Sequence, residues 1–157
     1  MKTQSFSSKS EQGQSLVEFA ISLTAMLILL AGAVDFGIGL FHYIAMRDAA
    51  QEGALYGSMN PPNPPTGGTY TCPNADIANI CSRIQDAAGA NGIIAKIYPS
   101  MTVQVKTTPA GCEGSGITVT LAYPYPISMP FVGAIIGSDH IQLRAAVTDT
   151  ILTPVCP

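Results

Sequence analysis

The sequence predicts an α+β protein, in which a long N-terminal membrane-spanning helix is followed by an ectodomain with a small helix and an antiparallel β-sheet. Three observations support this fold class. Residues 16–34 form an apolar run in which Glu18 is the only charge. No proline occurs from Met1 to Asn60, so a helix can continue well beyond that run. After residue 100, three segments alternate between apolar and polar side chains, which is typical of half-buried strands.

The composition narrows the class of protein. The 157 residues suffice for at most one ordinary globular domain with additional segments. Hydrophobic residues make up 47% of the chain and charged residues only 11%. Because charged residues are about 25% of average soluble domains, this composition indicates membrane association or a weakly solvated surface. The net charge of −3 and the lack of a basic run give no reason to expect nucleic acid as a partner.

The apolar run has the length of a membrane span. As a helix, its nineteen residues from Leu16 to Val34 would rise about 28 Å, close to the hydrocarbon thickness of a bilayer. One alternative is a secretory signal peptide cleaved at Ala31-Gly32-Ala33, although the apolar core of such peptides is usually about 7–15 residues. The other alternative is a buried core helix, which so small a domain would hardly enclose.

Flanking charges and cysteines indicate the orientation. Lys2 and Lys9 precede the span and Arg47 follows it, which weakly favours a cytoplasmic N-terminus. All four cysteines lie after the span, as expected for a domain in an oxidising compartment. A metal site is less favoured, because there is no Cys-x-x-Cys and both histidines are distant from the cysteines in sequence.

The first helix is predicted to run from about Gln14 to Tyr56, roughly 65 Å and twice the membrane core. Its second half must therefore project into water or pack on another element. Small residues recur in this half, at Ala49, Ala50, Gly53, Ala54 and Gly57. Small residues let backbones approach closely, so this face contacts either a partner helix or the chain's own ectodomain. Prolines and glycines then predict a linker or exposed loop over residues 58–71.

A second helix is predicted from Pro73, with Asn74 as its N-cap and Gly89 near its end. Its apolar stripe consists of Ile77, Ile80, Cys81, Ile84 and Ala88. Residues 90–98 either extend this helix or form a turn.

Three strands are predicted at residues 101–106, 117–123 and 141–151, with residues 109–116 as a hairpin loop between the first two. Pro124 and Pro126 are expected to end the second strand, because proline cannot donate to a ladder. The apolar segment 127–140 is predicted to cap the core, with contact to the membrane or to a partner as the alternatives.

The cysteines are Cys72, Cys81, Cys112 and Cys156, which allow three pairings. Antiparallel order brings the end of the third strand, and with it Cys156, towards the hairpin loop that carries Cys112. We therefore favour disulfides 72–81 and 112–156, the first of which staples the linker to the second helix.

The start of the span carries a motif. A carboxylate, Glu18, lies at the mouth of the apolar helix five residues after Gly13, and a hydrophilic, lysine-bearing leader precedes the glycine. A charge near hydrocarbon costs a few kcal/mol or more, so it indicates a use unless it reaches the headgroup layer. Together these features resemble a type IV prepilin processing site, with cleavage after Gly13 and Glu18 fifth in the mature chain.

Three motifs in register extend this likeness. They are Gly13-Gln-Ser-Leu-Val-Glu-Phe-Ala20, Val34-Asp-Phe-Gly37 and Asp48-Ala-Ala-Gln-Glu-Gly-Ala-Leu-Tyr-Gly57. They closely resemble the TadE-like family of pseudopilins from tight-adherence (Flp-type) pilus systems, over about residues 12–57. Two departures concern helix geometry: Thr24 stands where the family often has proline, and Ile38-Gly39 stand where a basic residue often follows.

The resemblance implies cleavage between Gly13 and Gln14 by a membrane-embedded prepilin peptidase. It also implies a role in pilus biogenesis, adherence or an allied secretion machine. Cleavage would create an amine on Gln14, one helical turn from Glu18, and this amine or a neighbour's would neutralise the carboxylate. Assembly is assigned to Glu18, the adjoining Phe19 and Asp35, where a headgroup-exposed carboxylate is the alternative for Asp35.

The resulting organisation is a leader, 1–13; a pilin-like helix, 14–57, with the span at about 16–34; a linker, 58–71; and an extracytoplasmic α+β domain, 72–157. The predicted function is that of a minor pilin-like membrane protein in the cytoplasmic membrane. Expected partners are the lipid bilayer, the prepilin peptidase, other pilin-like subunits and the assembly machinery. An enzyme or a cofactor is not expected. The rival class is a single-pass anchored binding domain that does not assemble.

Overall fold

The computed structural model describes residues 9–62, 67–87, 92–108, 112–129, 132–133 and 136–153. The chain divides into two compact units, Met1–Gly37 and Ile38–Pro157. Helix α1, Lys9–Met59, contributes to both. The other elements belong to the second unit: β1, Gly68–Thr71; a 3₁₀ turn, Ala75–Ile77; α2, Ala78–Asp86; α3, Ile93–Ile97; a second 3₁₀ turn, Tyr98–Ser100; β2, Thr102–Thr108; β3, Gly116–Pro126; and β4, His140–Thr150. The predicted α+β class is confirmed.

The four strands form one antiparallel sheet in the order β1-β2-β3-β4. β2 pairs with β3 from Thr102↔Ala122 to Thr108↔Gly116, and β3 pairs with β4 along its whole length. The three strands that alternation predicted are therefore present. The pairs follow the chain order, but the connections differ in length: seven residues lie between β2 and β3, thirteen between β3 and β4, and thirty, which include α2 and α3, between β1 and β2.

Strand β1 corrects the predicted linker. Gly68–Thr71 lies inside the segment 58–71 but pairs with β2. Four residues are too few to show a period of two, so the prolines and glycines around them dominated the sequence pattern. Backbone hydrogen bonds to β2 hold the strand in place, and Cys72 N extends the ladder by donating to Val103 O (3.0 Å).

The period of two in the strands separates a buried face from a polar face. Val103 and Val105 of β2 and Ile117, Val119 and Leu121 of β3 are buried. The alternate positions are exposed or half-buried, and many of them are threonines. Such a sheet buries one face only, so another layer must cover that face.

The C-terminal part of α1 supplies this layer and runs antiparallel to β3. Gly39 lies beside Tyr125, Gly53 beside Val119 and Gly57 beside Ile117. The alanines between them are fully buried: Ala49, Ala50 and Ala54. Of the two interpretations of the small residues, the structure shows the second, because this face carries the chain's own sheet.

Helix α2 adds the remaining cover. The Asn74 side chain accepts a hydrogen bond from Asp76 N (2.8 Å), so the predicted N-cap is present, although it caps the 3₁₀ turn that precedes α2. Ile77, Ile80 and Ile84 form the predicted buried stripe, while Ala88 and Gly89 lie outside the described residues. Beyond them, residues 93–97 form the separate helix α3, and burial raises the pKa of the Tyr98 phenol that follows.

The prediction that Pro124 and Pro126 end the second strand is wrong, because β3 continues to Pro126. Ile127 N donates to Asp139 O (3.0 Å), so the odd-numbered amides of β3 face β4. By the period of two, the two proline nitrogens face the opposite side of β3. On that side β2 has already ended at Thr102, opposite Ala122. A missing N–H therefore breaks no ladder bond, as in an edge strand.

The prediction that segment 127–140 caps the core is not met by its described residues. The hydrophobic core and the partly buried residues packed against it come from the helices and strands and from residues directly adjoining them, such as Ile151 and Cys72. The described apolar residues Ile127, Met129, Val132 and Ile136 are not among them, and Ile136 is 54% exposed. The helices already cover the sheet face, so the core has no need of this segment.

Cys72 and Cys81 form a disulfide with an S–S distance of 1.96 Å, which is the local pairing predicted from the sequence. Cys81 is buried on α2, and Cys72 directly follows β1. The bond thus ties the edge strand to the helical layer. Cys112 is also disulfide-bonded, and Cys156, its predicted partner, lies outside the described residues.

Removal of this bond is expected to destabilise the second unit. The two cysteines are nine residues apart, and closure of so short a loop in the unfolded chain is worth about 2–3 kcal/mol. A Cys72→Ala, Cys81→Ala variant should therefore lose about that much free energy of unfolding in denaturant titrations followed by circular dichroism. Reduced wild type should lose at least as much, since Cys112 is released too. An unchanged unfolding midpoint would contradict this role.

Candidate functional site

The N-terminal part of α1 exposes large apolar side chains along its length. Leu16 is 70% exposed, Phe19 66% and Leu29 76%. None of the most apolar stretch is buried, so the core-helix alternative is wrong. In the described part of the chain, α1 is the one helix long and apolar enough to cross a membrane. Apolar surface of this extent is unfavourable in water by about 25 cal/mol per Å², so lipid or partner helices must cover it.

Gly13, the predicted cleavage residue, lies within helical backbone. A Cβ placed on it would meet no other described part of the chain within 4 Å, and the same holds for Gly37. At Gly53 and Gly57, in contrast, a Cβ would lie 2.5 Å from an isoleucine carbon. Glycine disfavours helix by up to about 1 kcal/mol relative to alanine. Packing therefore explains Gly53 and Gly57, whereas nothing in the described fold requires a glycine at position 13.

Glu18 lies one helical turn beyond Gln14, about 6 Å along the axis and on the same face. Val17 and Ile21 flank the carboxylate in a shallow depression on the helix surface. Neither the Arg83–Glu52 ion pair nor the Asp139–His140 pair includes Glu18. Glu18 is therefore an exposed carboxylate between apolar side chains, and it is placed to form an ion pair with a cationic group from outside the described residues.

Asp35 is not brought near Glu18. Seventeen residues of helix separate them, about 25 Å at about 1.5 Å per residue. Asp35 is half-buried, and it has an interaction within the structure. The predicted assembly residues therefore form two places: Glu18 with Phe19 near the start of α1, and Asp35 near the far end of the apolar stretch. Between them Thr24 Oγ1 donates to Ala20 O (2.8 Å), which satisfies its hydroxyl inside an apolar helix.

The comparison with known families bears on this helix. Residues 13–55 match the model of the TadE-like protein family. The match starts at Gly13, includes Glu18 and Asp35, and ends four residues before the end of α1. It confirms the resemblance over that segment, while the strands lie outside it. No curated protein and no solved structure was found that matches the chain.

The TadE-like segment also carries a contact that the sequence analysis missed. The His42 ring stacks on Tyr123 (centroids 5.9 Å apart, planes at 5°) and is tilted against Tyr125 (5.3 Å). His42 Nδ1 lies 2.8 Å from Ile38 O, and a carbonyl can only accept, so Nδ1 carries the proton. Gly39, His42 and Met46 are spaced three and four residues apart, which places them on one face of the helix. This spacing is the sequence signal from which a contact of His42 with the sheet could have been predicted. His42 thus packs α1 against β3.

Proposed function

We propose that this protein is a minor pilin-like (pseudopilin) component of a tight-adherence type IVb pilus or an allied secretion system. The observation that carries the proposal is the coincidence of two features on one segment: the TadE-like match over residues 13–55 and the exposed apolar helix with Glu18 near its start. The protein acts in pilus biogenesis and adherence through contacts, and not as an enzyme.

The proposed topology is single-pass in the cytoplasmic membrane. Lys2 and Lys9 keep the N-terminus in the cytoplasm. The second unit is then extracytoplasmic, which suits the Cys72–Cys81 disulfide because such bonds persist in oxidising compartments.

Processing prepares the chain for assembly. A prepilin peptidase cleaves between Gly13 and Gln14, which removes the lysine-bearing leader and creates an amine on Gln14. This amine, from the same chain or from a neighbour, pairs with the Glu18 carboxylate in the apolar surroundings of the span. A paired charge in a low dielectric is far less costly than a lone one, so the pair favours one register between subunits.

The processing step is tested with Gly13→Val. A branched side chain at the scissile bond should block cleavage without disturbing the fold, since a Cβ at Gly13 meets no other described part of the chain. The wild type should start at Gln14 in cells with the peptidase, whereas the variant should keep residues 1–13. Intact-mass spectrometry of the purified protein distinguishes these species.

Gly37→Val is the matched control, because Gly37 lies in the same helix and is equally open. It should be processed like the wild type. Identical masses in peptidase-positive and peptidase-negative cells would contradict the proposed processing and favour an anchored binding domain that does not assemble.

A further inference from the structure

The β3–β4 end of the sheet lies beside the first turns of α1 within the second unit. A Cβ on Gly39 would lie 3.6 Å from the Tyr125 ring, and the His42 ring lies 5.3 Å from that of Tyr125. Two residues later, Ile127 N donates to Asp139 O and closes the strand pair. The connection between β3 and β4 therefore leaves the sheet next to residues 39–42.

The length of the helix places residues 38–43 near a membrane boundary. With the span at about residues 16–34, the hydrocarbon ends near Asp35. The headgroup layer adds about 5–8 Å on each side, or about three to five residues of helix. It therefore reaches the start of the second unit at Ile38, and residues 38–43 lie in the outer part and at the rim of that layer. This step rests on the membrane anchoring in the proposed function.

The surface at this end has the chemistry of a membrane interface. Ile136 of the β3–β4 connection is 54% exposed and Ile141 at the start of β4 is 44% exposed. Residues 127–138 contain no charged side chain. Tyr43 is 38% exposed nearby on α1, and tyrosine is enriched at the level of the headgroups, where its ring is in apolar and its hydroxyl in polar surroundings.

The charged groups at this end flank the apolar residues. His140 Nδ1 lies 2.8 Å from Asp139 Oδ1, and this hydrogen bond lowers the pKa of the Asp139 carboxyl. The Asp139 side chain is 97% exposed, so it can remain in the headgroup region. A protein partner would also cover apolar residues, but continuity with the span favours lipid, because the chain itself brings this surface to the bilayer.

We propose that this end of the second unit, comprising Tyr43, Ile136 and Ile141, lies in the outer headgroup layer and forms a second membrane contact beside the helical anchor. Such a contact restricts tilting of the ectodomain on the membrane. It must be released when the subunit leaves the bilayer.

Tryptophan fluorescence tests the contact, since the chain contains no tryptophan. Ile136→Trp in the full-length protein, reconstituted in phosphatidylcholine–phosphatidylglycerol vesicles, places one reporter at the surface. Its emission should lie at a shorter wavelength than that of the same variant unfolded in denaturant. Brominated lipids should quench the fluorescence strongly, whereas iodide in the buffer should quench it only weakly.

The matched control is Thr108→Trp. Thr108 is exposed and pairs with Gly116, ten residues from Pro126 along β3, or about 33 Å at about 3.3 Å per residue. Its tryptophan should be quenched by iodide and not by brominated lipid. Because both variants introduce the same side chain, the intrinsic affinity of tryptophan for interfaces cancels in the comparison.

Vesicle flotation separates the outcomes. Failure of both variants to float with the vesicles would overturn the anchoring in the proposed function. Flotation with the tryptophan at position 136 as open to iodide as that at position 108 would overturn the membrane contact alone. Protection of that tryptophan only after other pilus subunits are added would also overturn it and assign the surface to a protein partner.

Discussion

A Glu18→Gln variant is expected to insert into the membrane and lose its leader like the wild type, yet to lose co-purification with other pilus components and surface adherence. The substitution removes the charge and leaves the shape of the side chain almost unchanged. Insertion should be as good or better, since a neutral amide is less costly near hydrocarbon. The scissile bond lies more than a helical turn away, so cleavage should persist. What disappears is the partner for the amine of Gln14.

The control is Glu52→Gln, which makes the same chemical change in the same helix outside the span. Glu52 lies 3.9 Å from Arg83 with both side chains largely exposed, and such pairs contribute about 0–1 kcal/mol. This variant should assemble and adhere normally. Wild-type adherence of Glu18→Gln at matched protein levels would refute charge pairing and leave Glu18 as a carboxylate that reaches the headgroups. The match of residues 13–55 to the TadE-like family would be unaffected.

A Gly53→Leu variant is expected to lose about 2–3 kcal/mol of the stability of the second unit. A Cβ at this position would lie 2.5 Å from Ile84 Cγ1 and 2.8 Å from Ile84 Cδ1. Ile84 is fully buried, so it cannot move aside without displacing its own neighbours. Overpacking by extra methylenes typically costs about 1–3 kcal/mol, and occasionally more. Leucine brings three carbons beyond the Cβ, so we expect a cost of about 3–4 kcal/mol, from which up to about 1 kcal/mol gained in helix propensity is subtracted.

Near-ultraviolet circular dichroism measures this loss selectively, because all six tyrosines of the chain lie in the second unit. The unfolding midpoint of Gly53→Leu in denaturant should fall clearly below that of the wild type. Gly37→Leu, the same change where a Cβ meets no other described part of the chain, should leave the midpoint unchanged. Equal midpoints for all three proteins would mean that α1 is not packed on α2 as described.

Features with a strong local signal could be predicted from the sequence. The strands show a period of two, and α2 with its preceding turn shows an apolar stripe of Ile77, Ile80 and Ile84. Both patterns reflect which side of the element is buried, and they can be seen in the order of apolar and polar residues along a short segment. Asn74 caps a helical turn through its own side chain, which is also a local effect. The candidate site is also inferred from a local pattern, since Gly13, Gln14 and Glu18 lie within six residues on one helix, and its role stays a prediction.

Features that depend on a partner strand were not predictable. Pro124 and Pro126 appeared to end β3, but their nitrogens face a side where β2 is absent. Strand β1 is too short for an alternating pattern, and it exists because β2 offers it a ladder. Whether segment 127–140 packs on the core depends on whether the helices already bury the apolar face of the sheet. That is decided by the tertiary packing and cannot be inferred from a local sequence pattern.

The sequence by itself determined the long apolar helix, the TadE-like resemblance of its N-terminal segment and the class of the domain that follows, because these depend on length, composition, short motifs and short-range periodicity. Only the tertiary structure decided what the small face of α1 touches, since Gly53 and Gly57 suit a partner helix as well as the chain's own Ile84 and Ile117. It also placed His42 between two tyrosines more than eighty residues away in sequence. Such contacts arise from the packing of distant segments, and a single sequence states only which residues are able to make them.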